Sequence, residues 1–152
     1  MSHSRQVMNP ILGIDFGEAR IGVAISDELR LLAHPVETIS GERDAISRIV
    51  EIARAKKIEK VVVGVPRNMD GSFGAAAEKA LQFVEKLREV ADCPVATWDE
   101  RLTSVAANRQ MREAGRKTKK TRAYIDQVAA QIILQSYLDS QRRAATTEEM
   151  LR

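Results

Sequence analysis

The order in which β-prone and helical segments follow one another predicts an α/β fold: one five-stranded mixed sheet with helices on both faces. Three observations carry it. Short Ile/Val-rich segments crowd the first forty residues, the apolar period then switches to that of a helix, and a continuous apolar run, KVVVGVP, returns between helical stretches. Such a run suits a strand covered on both faces.

Residues 11–17 and 20–27 read as two strands, with Gly17-Glu18-Ala19 between them short enough for a hairpin turn. LLAHPVETIS supplies a third strand. From Arg43 to about Lys57, Ile46, Ile49, Val50 and Ala53 recur at helical spacing. Residues 60–66 form the buried strand, and RNMDGSFG, with Asn68, Asp70, Gly71 and Gly74, is a loop. A helix over about 75–90 places Ala80, Phe83, Val84 and Leu87 on one face. Pro94 opens a fifth strand, PVATWDE, which ends in two adjacent acids. A helix over about 104–114 stops at Gly115, a favourable C-terminal cap. The last helix is expected over about 123–140. The first three strands, joined by short turns, are expected to be antiparallel; those reached through helices are expected to be parallel to their neighbour.

At 152 residues the chain suits a single domain able to bury roughly two-thirds of its unfolded surface. The core is expected over about 10–140, with 1–9 and 141–152 as flexible termini. With 44% hydrophobic and 30% charged residues and no long apolar run, nothing suggests a membrane span. The start lacks a secretory h-region, and the lone Cys93 with two separated histidines offers neither a disulfide nor a zinc site. A cytoplasmic protein is expected. The net charge is only +3, yet from Arg109 to Arg122 seven basic residues face the single acid Glu113. Such a block suits a nucleic-acid backbone, or equally a solvated loop.

Three acids stand in apolar settings where charge is rarely buried. Asp15 closes the first strand and Asp99-Glu100 the last. Asp126 shares a helix face with Ala129, Ala130, Ile133 and Tyr137. Sites in open α/β sheets form at the carboxyl ends of parallel strands, where Asp15 and the Asp99-Glu100 pair fall. Clustered carboxylates suit Mg²⁺ better than a closed protein cage would. Taken singly, each acid has an ordinary structural role open to it: a turn cap for Asp15, pairing with Arg101 for Glu100, a helix cap for Asp126. Strand alternation lets only one of Asp99 and Glu100 face the site, and parity alone leaves the choice open.

GIDFGEARIGVAISD, VVVGVPRNMDGSFG, WDERLTS and IDQVAAQIILQSYLD, in this order and spacing, resemble the YqgF family, also called RuvX. These are RNase H-like proteins described as pre-16S ribosomal RNA nucleases and Holliday-junction resolvase-like proteins. The resemblance covers about residues 10–140 and implies an RNase H-like fold. It implies that Asp15, Glu100 and Asp126 are the catalytic, metal-holding acids, which favours Glu100 over Asp99. It also implies phosphodiester hydrolysis assisted by one or two Mg²⁺ or Mn²⁺ ions. The position one helical turn before Asp126, acidic in many related resolvases, is Ala123 here.

On that basis Lys117, Lys119, Lys120 and Arg122 are expected to hold the nucleic-acid backbone. Arg20 and Arg101 are candidates for the scissile phosphate, with structural ion pairs the alternative for both. The implied partner is ribosomal RNA precursor or branched DNA, bound by a monomer or weak homodimer. With 4% aromatic residues, base stacking is not the expected mode. The RNMDGSFG loop precedes a helix, so its amides could meet a phosphate, although it lacks the Gly-Lys-Ser/Thr of a P-loop. Two competing functions keep some motivation: an actin-like ATPase, weakened by the single domain, and a non-catalytic RNA-binding assembly factor using the basic block.

Overall fold

A computed structural model describes residues 8–105 and 119–151, the side chains of 119–121 excepted. β1 (Ile11–Asp15), β2 (Arg20–Ser26) and β3 (Ala33–Ser40) pair antiparallel, and β4 (Lys60–Val65) and β5 (Val95–Asp99) continue the sheet in parallel from β1. The spatial order is β3-β2-β1-β4-β5. The expected mixed sheet is present, with β1 at its centre and all five of its residues buried. Because β1, β4 and β5 run the same way, their carboxyl ends share one edge.

Helices α1 (Glu42–Ala55) and α2 (Ala75–Val90) cover one face, and α3 (Lys119–Leu151) covers the other. On the first face Leu12, Ile14, Val61 and Val63 meet Ile49, Phe83 and Leu87, forming the larger apolar core. Full burial of each such side chain stabilises by about 1.5–3 kcal/mol. On the second face Ile11, Ala24 and Val62 meet Ala130, Leu134 and Leu138. Gly13 belongs to this face, and a Cβ there would stand 2.5 Å from Leu134 Cβ and 3.0 Å from the Ala130 carbonyl. The small residues bring the α3 backbone down onto the sheet.

Several element ends differ from expectation. β1 stops at Asp15 because residues 16–19 form the turn, where a Cβ on Gly17 would lie 2.6 Å from the Arg20 carbonyl. β5 stops at Asp99, whose side chain accepts from the Arg101 amide at 2.9 Å and opens a short 3₁₀ turn over Glu100–Leu102. α3 runs on to Leu151 rather than ending near Ser140, although 141–151 are exposed throughout. That stretch has Ala144, Ala145, Glu148, Glu149 and Met150 and neither Gly nor Pro, so intrinsic propensity extends the helix without packing. All but Ser104 and Val105 of the helix expected over about 104–114, and most of the basic block, Lys117 included, lie outside the described residues. Among the described residues no helix is long and apolar enough to cross a membrane.

Candidate active site

Asp15 ends the central strand at the carboxyl edge of the sheet. Its register partners are Gly22 on β2 and Gly64 on β4. The row continues to Thr38 on β3 and Trp98 on β5, and both of those side chains reach α3: Thr38 Oγ1 donates to the Ala123 carbonyl at 2.5 Å, and Trp98 Nε1 to Ser136 Oγ at 3.0 Å. Paired residues share a face, so Asp15 points to the α3 side. It is only 4% exposed.

The two glycines explain how other acids come near it. A Cβ on Gly22 would overlap the backbone carbonyl of Asp126, so this turn of α3 rests directly on β2. A Cβ on Gly64 would lie 2.5 Å from Ile133 Cδ1 and 3.1 Å from Glu100 Oε1. Glu100 therefore leans over β4 on the α3 face, beside Asp15's own partner, and is 1% exposed. Sequence inspection overlooked Gly22 and Gly64. The available signal was an isolated glycine inside each strand, which marks close approach of another group.

Asp126 stands at the edge of the core, one helical turn before the buried Ala129 and Ala130, and it meets a cation. Arg20 Nε donates to Asp126 Oδ2 at 2.7 Å, with the side chains 32% and 15% exposed. Arg20 and Gly22 share a strand face, so the pair borders Asp15 on the β2 side while Glu100 borders it on the β4 side. Among the described residues no three His, Cys, Asp or Glu side chains stand close enough together to hold a metal ion. The three acids share one sheet edge and one face, and the Asp126 carboxylate is paired with Arg20.

Asp99 and Glu100 diverge as alternation requires. Asp99 is the register partner of Val65, which packs on Ala77 and Ala80 of α2, so Asp99 turns to the α2 side. It is Asp99, not Glu100, that pairs with Arg101, through Nη2 at 2.7 Å. This hydrogen bond holds the Asp99 carboxyl below its ordinary range, against the opposing effect of burial. Arg20 and Arg101 are therefore both in ion pairs. The loop after β4 uses its amides internally: Asn68 N donates to the Ser72 carbonyl, Gly71 N to the Asn68 carbonyl and Ser72 N to Asp70 Oδ1. These three amides are satisfied within the loop, as in a plain strand-to-helix connection. Arg122 is exposed. The side chains of Lys119 and Lys120 lie outside the described residues.

The chain is similar to several known proteins. The family model described as "RuvX: Holliday junction resolvase" matches residues 9–140. A protein of Acetivibrio thermocellus named "Putative pre-16S rRNA nuclease" is 48% identical over 134 residues, covering 86% of this chain and 95% of its own. One of the same name from Caldanaerobacter subterraneus subsp. tengcongensis is 47% identical over 137 residues, covering 88% and 99%. Among solved structures, RuvC of T. thermophilus in complex with a Holliday junction substrate superposes with a TM-score of 0.58 at 16% identity, covering 89% of this chain and 96% of that one. The structural likeness establishes an RNase H-like fold with the sheet order seen here. A family match over nearly the whole folded core, and relatives close to half identical over most of both chains, show that this chain belongs to the RuvX family.

Proposed function

We propose that this protein is a metal-dependent nuclease that hydrolyses phosphodiester bonds of nucleic acid, with the 5′ end of pre-16S ribosomal RNA as its substrate. One observation carries the proposal: Asp15, ending β1, and Glu100, opening the turn after β5, are buried on the same sheet face at the carboxyl edge, on either side of Gly64. Their donor atoms are the carboxylate oxygens that hard divalent cations take, and Mg²⁺ is commonly held by one or two carboxylates together with substrate phosphate. The space left by the absent Gly64 side chain keeps Glu100 close to the Asp15 row. By donor chemistry these oxygens suit Mg²⁺ or Mn²⁺, which Asp15 and Glu100 would hold with Asp126 as a third candidate.

The chemistry such an ion supplies when bound is polarisation of the phosphoryl oxygen and activation of water near neutral pH. The chain's own groups do the rest. Arg20, half-exposed beside Asp126, is placed to meet the phosphate under attack once its carboxylate partner is shared. Arg122, with Lys117, Lys119 and Lys120, contributes sequence-independent attraction to the backbone. The names of the curated relatives support the ribosomal RNA substrate. The description of the family model favours a second substrate, the four-way DNA junction, whose resolution requires paired sites and hence a dimer. Cleavage of ribosomal RNA precursor, single-stranded RNA and four-way junctions by wild type and Asp15→Asn decides between them. Wild type is expected to cut the precursor in Mg²⁺ or Mn²⁺ and Asp15→Asn to cut nothing. Full activity in the variant overturns the proposal.

A further inference from the structure

We infer that Arg67 and Arg101, both held by Asp99, form a clamp for a nucleic-acid phosphate on the α2 side of the same sheet edge, apart from the buried acids. The inference rests on the nuclease proposal only for the identity of the polymer.

The geometry is that of a built group. Asp99 Oδ2 accepts from Arg101 Nη2 at 2.7 Å and Nε at 3.1 Å, and Oδ1 from the Arg101 amide at 2.9 Å. Arg67 Nη1 approaches the same Oδ2 at 3.5 Å. Arg67 also donates through Nε to the Gly71 carbonyl at 3.0 Å, with Nη2 on the same oxygen, and its guanidinium lies over the Phe73 ring at 4.5 Å. Arg101 Nη1 reaches the Met69 carbonyl at 3.5 Å. Gly71 sits between the two guanidiniums: a Cβ there would be 3.4 Å from Arg101 Nη1 and 3.6 Å from Arg67 Nη2, at a φ of +88° that suits only glycine.

Two guanidiniums share the Asp99 carboxylate. The nearby Asp70 is turned onto Ser72, accepting from its amide at 2.9 Å and its hydroxyl at 2.6 Å, while its charge also acts on Arg101. The arginine side chains remain 30% and 31% exposed, and each guanidinium carries five N–H donors, more than these internal bonds use. Planar forks fixed by a carboxylate, a carbonyl and an aromatic ring are pre-organised for phosphate oxygens, which the internally bonded loop amides are not. Asp99 is a positioning residue in this scheme.

The sign of one substitution separates a clamp from a merely basic surface. Asp99→Asn adds a unit of positive charge, so a surface acting only through its field binds nucleic acid more tightly. An organised clamp loses its anchor and binds about tenfold more weakly, the equivalent of one charge-assisted hydrogen bond. Fluorescence anisotropy of a labelled single-stranded RNA and a labelled four-way DNA junction, in EDTA over a salt series, reads this. Arg67→Gln and Arg101→Gln are each expected to reduce the slope of log affinity against log salt by about 0.7 on the single strand and about 0.9 on duplex arms. The larger loss of affinity identifies the polymer that engages the clamp. Equal or tighter binding by folded Asp99→Asn overturns the inference, as do unchanged slopes in both arginine variants. If thermal melting shows Asp99→Asn unfolded, the two arginine variants, on exposed side chains, decide alone. Cleavage by wild type is scored separately, so the clamp fails without the nuclease if cutting persists and the slopes are unchanged, and the nuclease fails without the clamp in the converse case.

Discussion

The two faces of the sheet are built from opposite materials. Towards α1 and α2, the central strands present Leu12, Ile14, Ile21, Val23, Val61 and Val63, and large side chains hold the helices off the sheet. Towards α3 the same strands present Gly13, Asp15, Gly22, Ala24 and Gly64, and the helix backbone descends until a methyl group would collide with it. One face gains its stability from apolar volume. The other combines a smaller apolar cluster with glycines that let α3 and Glu100 lie close to the strands.

The sharpest break of that comparison is between adjacent acids. At saturating substrate, Glu100→Gln is expected to lower kcat about a thousandfold, some 4 kcal/mol in barrier. Asp99→Asn, on the other face, should leave kcat within a few-fold while weakening binding; equal kcat losses would show that the faces do not divide the labour. Next comes packing. Gly22→Ala, one added methyl, is expected to cost about 3 kcal/mol because the obstacle is the Asp126 backbone. Urea unfolding should show that loss matching the roughly 3 kcal/mol of Leu87→Ala, which removes buried volume from the α2 face. A neutral Gly22→Ala would mean that α3 is free to lift.

A smaller effect tests the Arg20–Asp126 pair. Arg20→Gln should destabilise by about 1.5 kcal/mol at neutral pH, by leaving a half-buried carboxylate without its cation, and Asp126→Asn in the same background should recover part of it in a double-mutant cycle. Absence of coupling would deny the pair. The least effect concerns Asp99, whose folded-state carboxyl is depressed by Arg101. Its stabilisation is complete above the unfolded value near pH 4 and is lost as pH falls through the folded one. Wild type and Asp99→Asn should therefore differ by under about 1 kcal/mol at pH 7, given solvent screening, and converge in acid. A gap that widened below pH 4 would reverse the assignment.

Much of this was legible along the chain because it depends on neighbours in sequence. The strand and helix periods, the bounds of α2 over 75–90, and the four ordered motifs are all local. Asp126 could be placed on a face with Ala129, Ala130, Ile133 and Tyr137 because i, i+3 and i+4 positions on a helix are fixed by its pitch. The choice between Asp99 and Glu100 was harder. Parity splits the pair but says nothing about which face carries α3; the family resemblance favoured Glu100, and the register of Val65 with Asp99 and Gly64 with Trp98 shows the faces apart.

By itself, then, the sequence determined which segments become strands and helices, which acids end or interrupt apolar stretches, and the family whose motifs they spell. The tertiary structure alone decided what each charge meets: Arg20 on Asp126 across 106 residues, Arg67 and Arg101 on one carboxylate, Glu100 over a glycine. The reason is physical. Local propensity acts within a turn or a pleat, whereas an ion pair or a missing side chain has meaning only once distant strands have fixed their register.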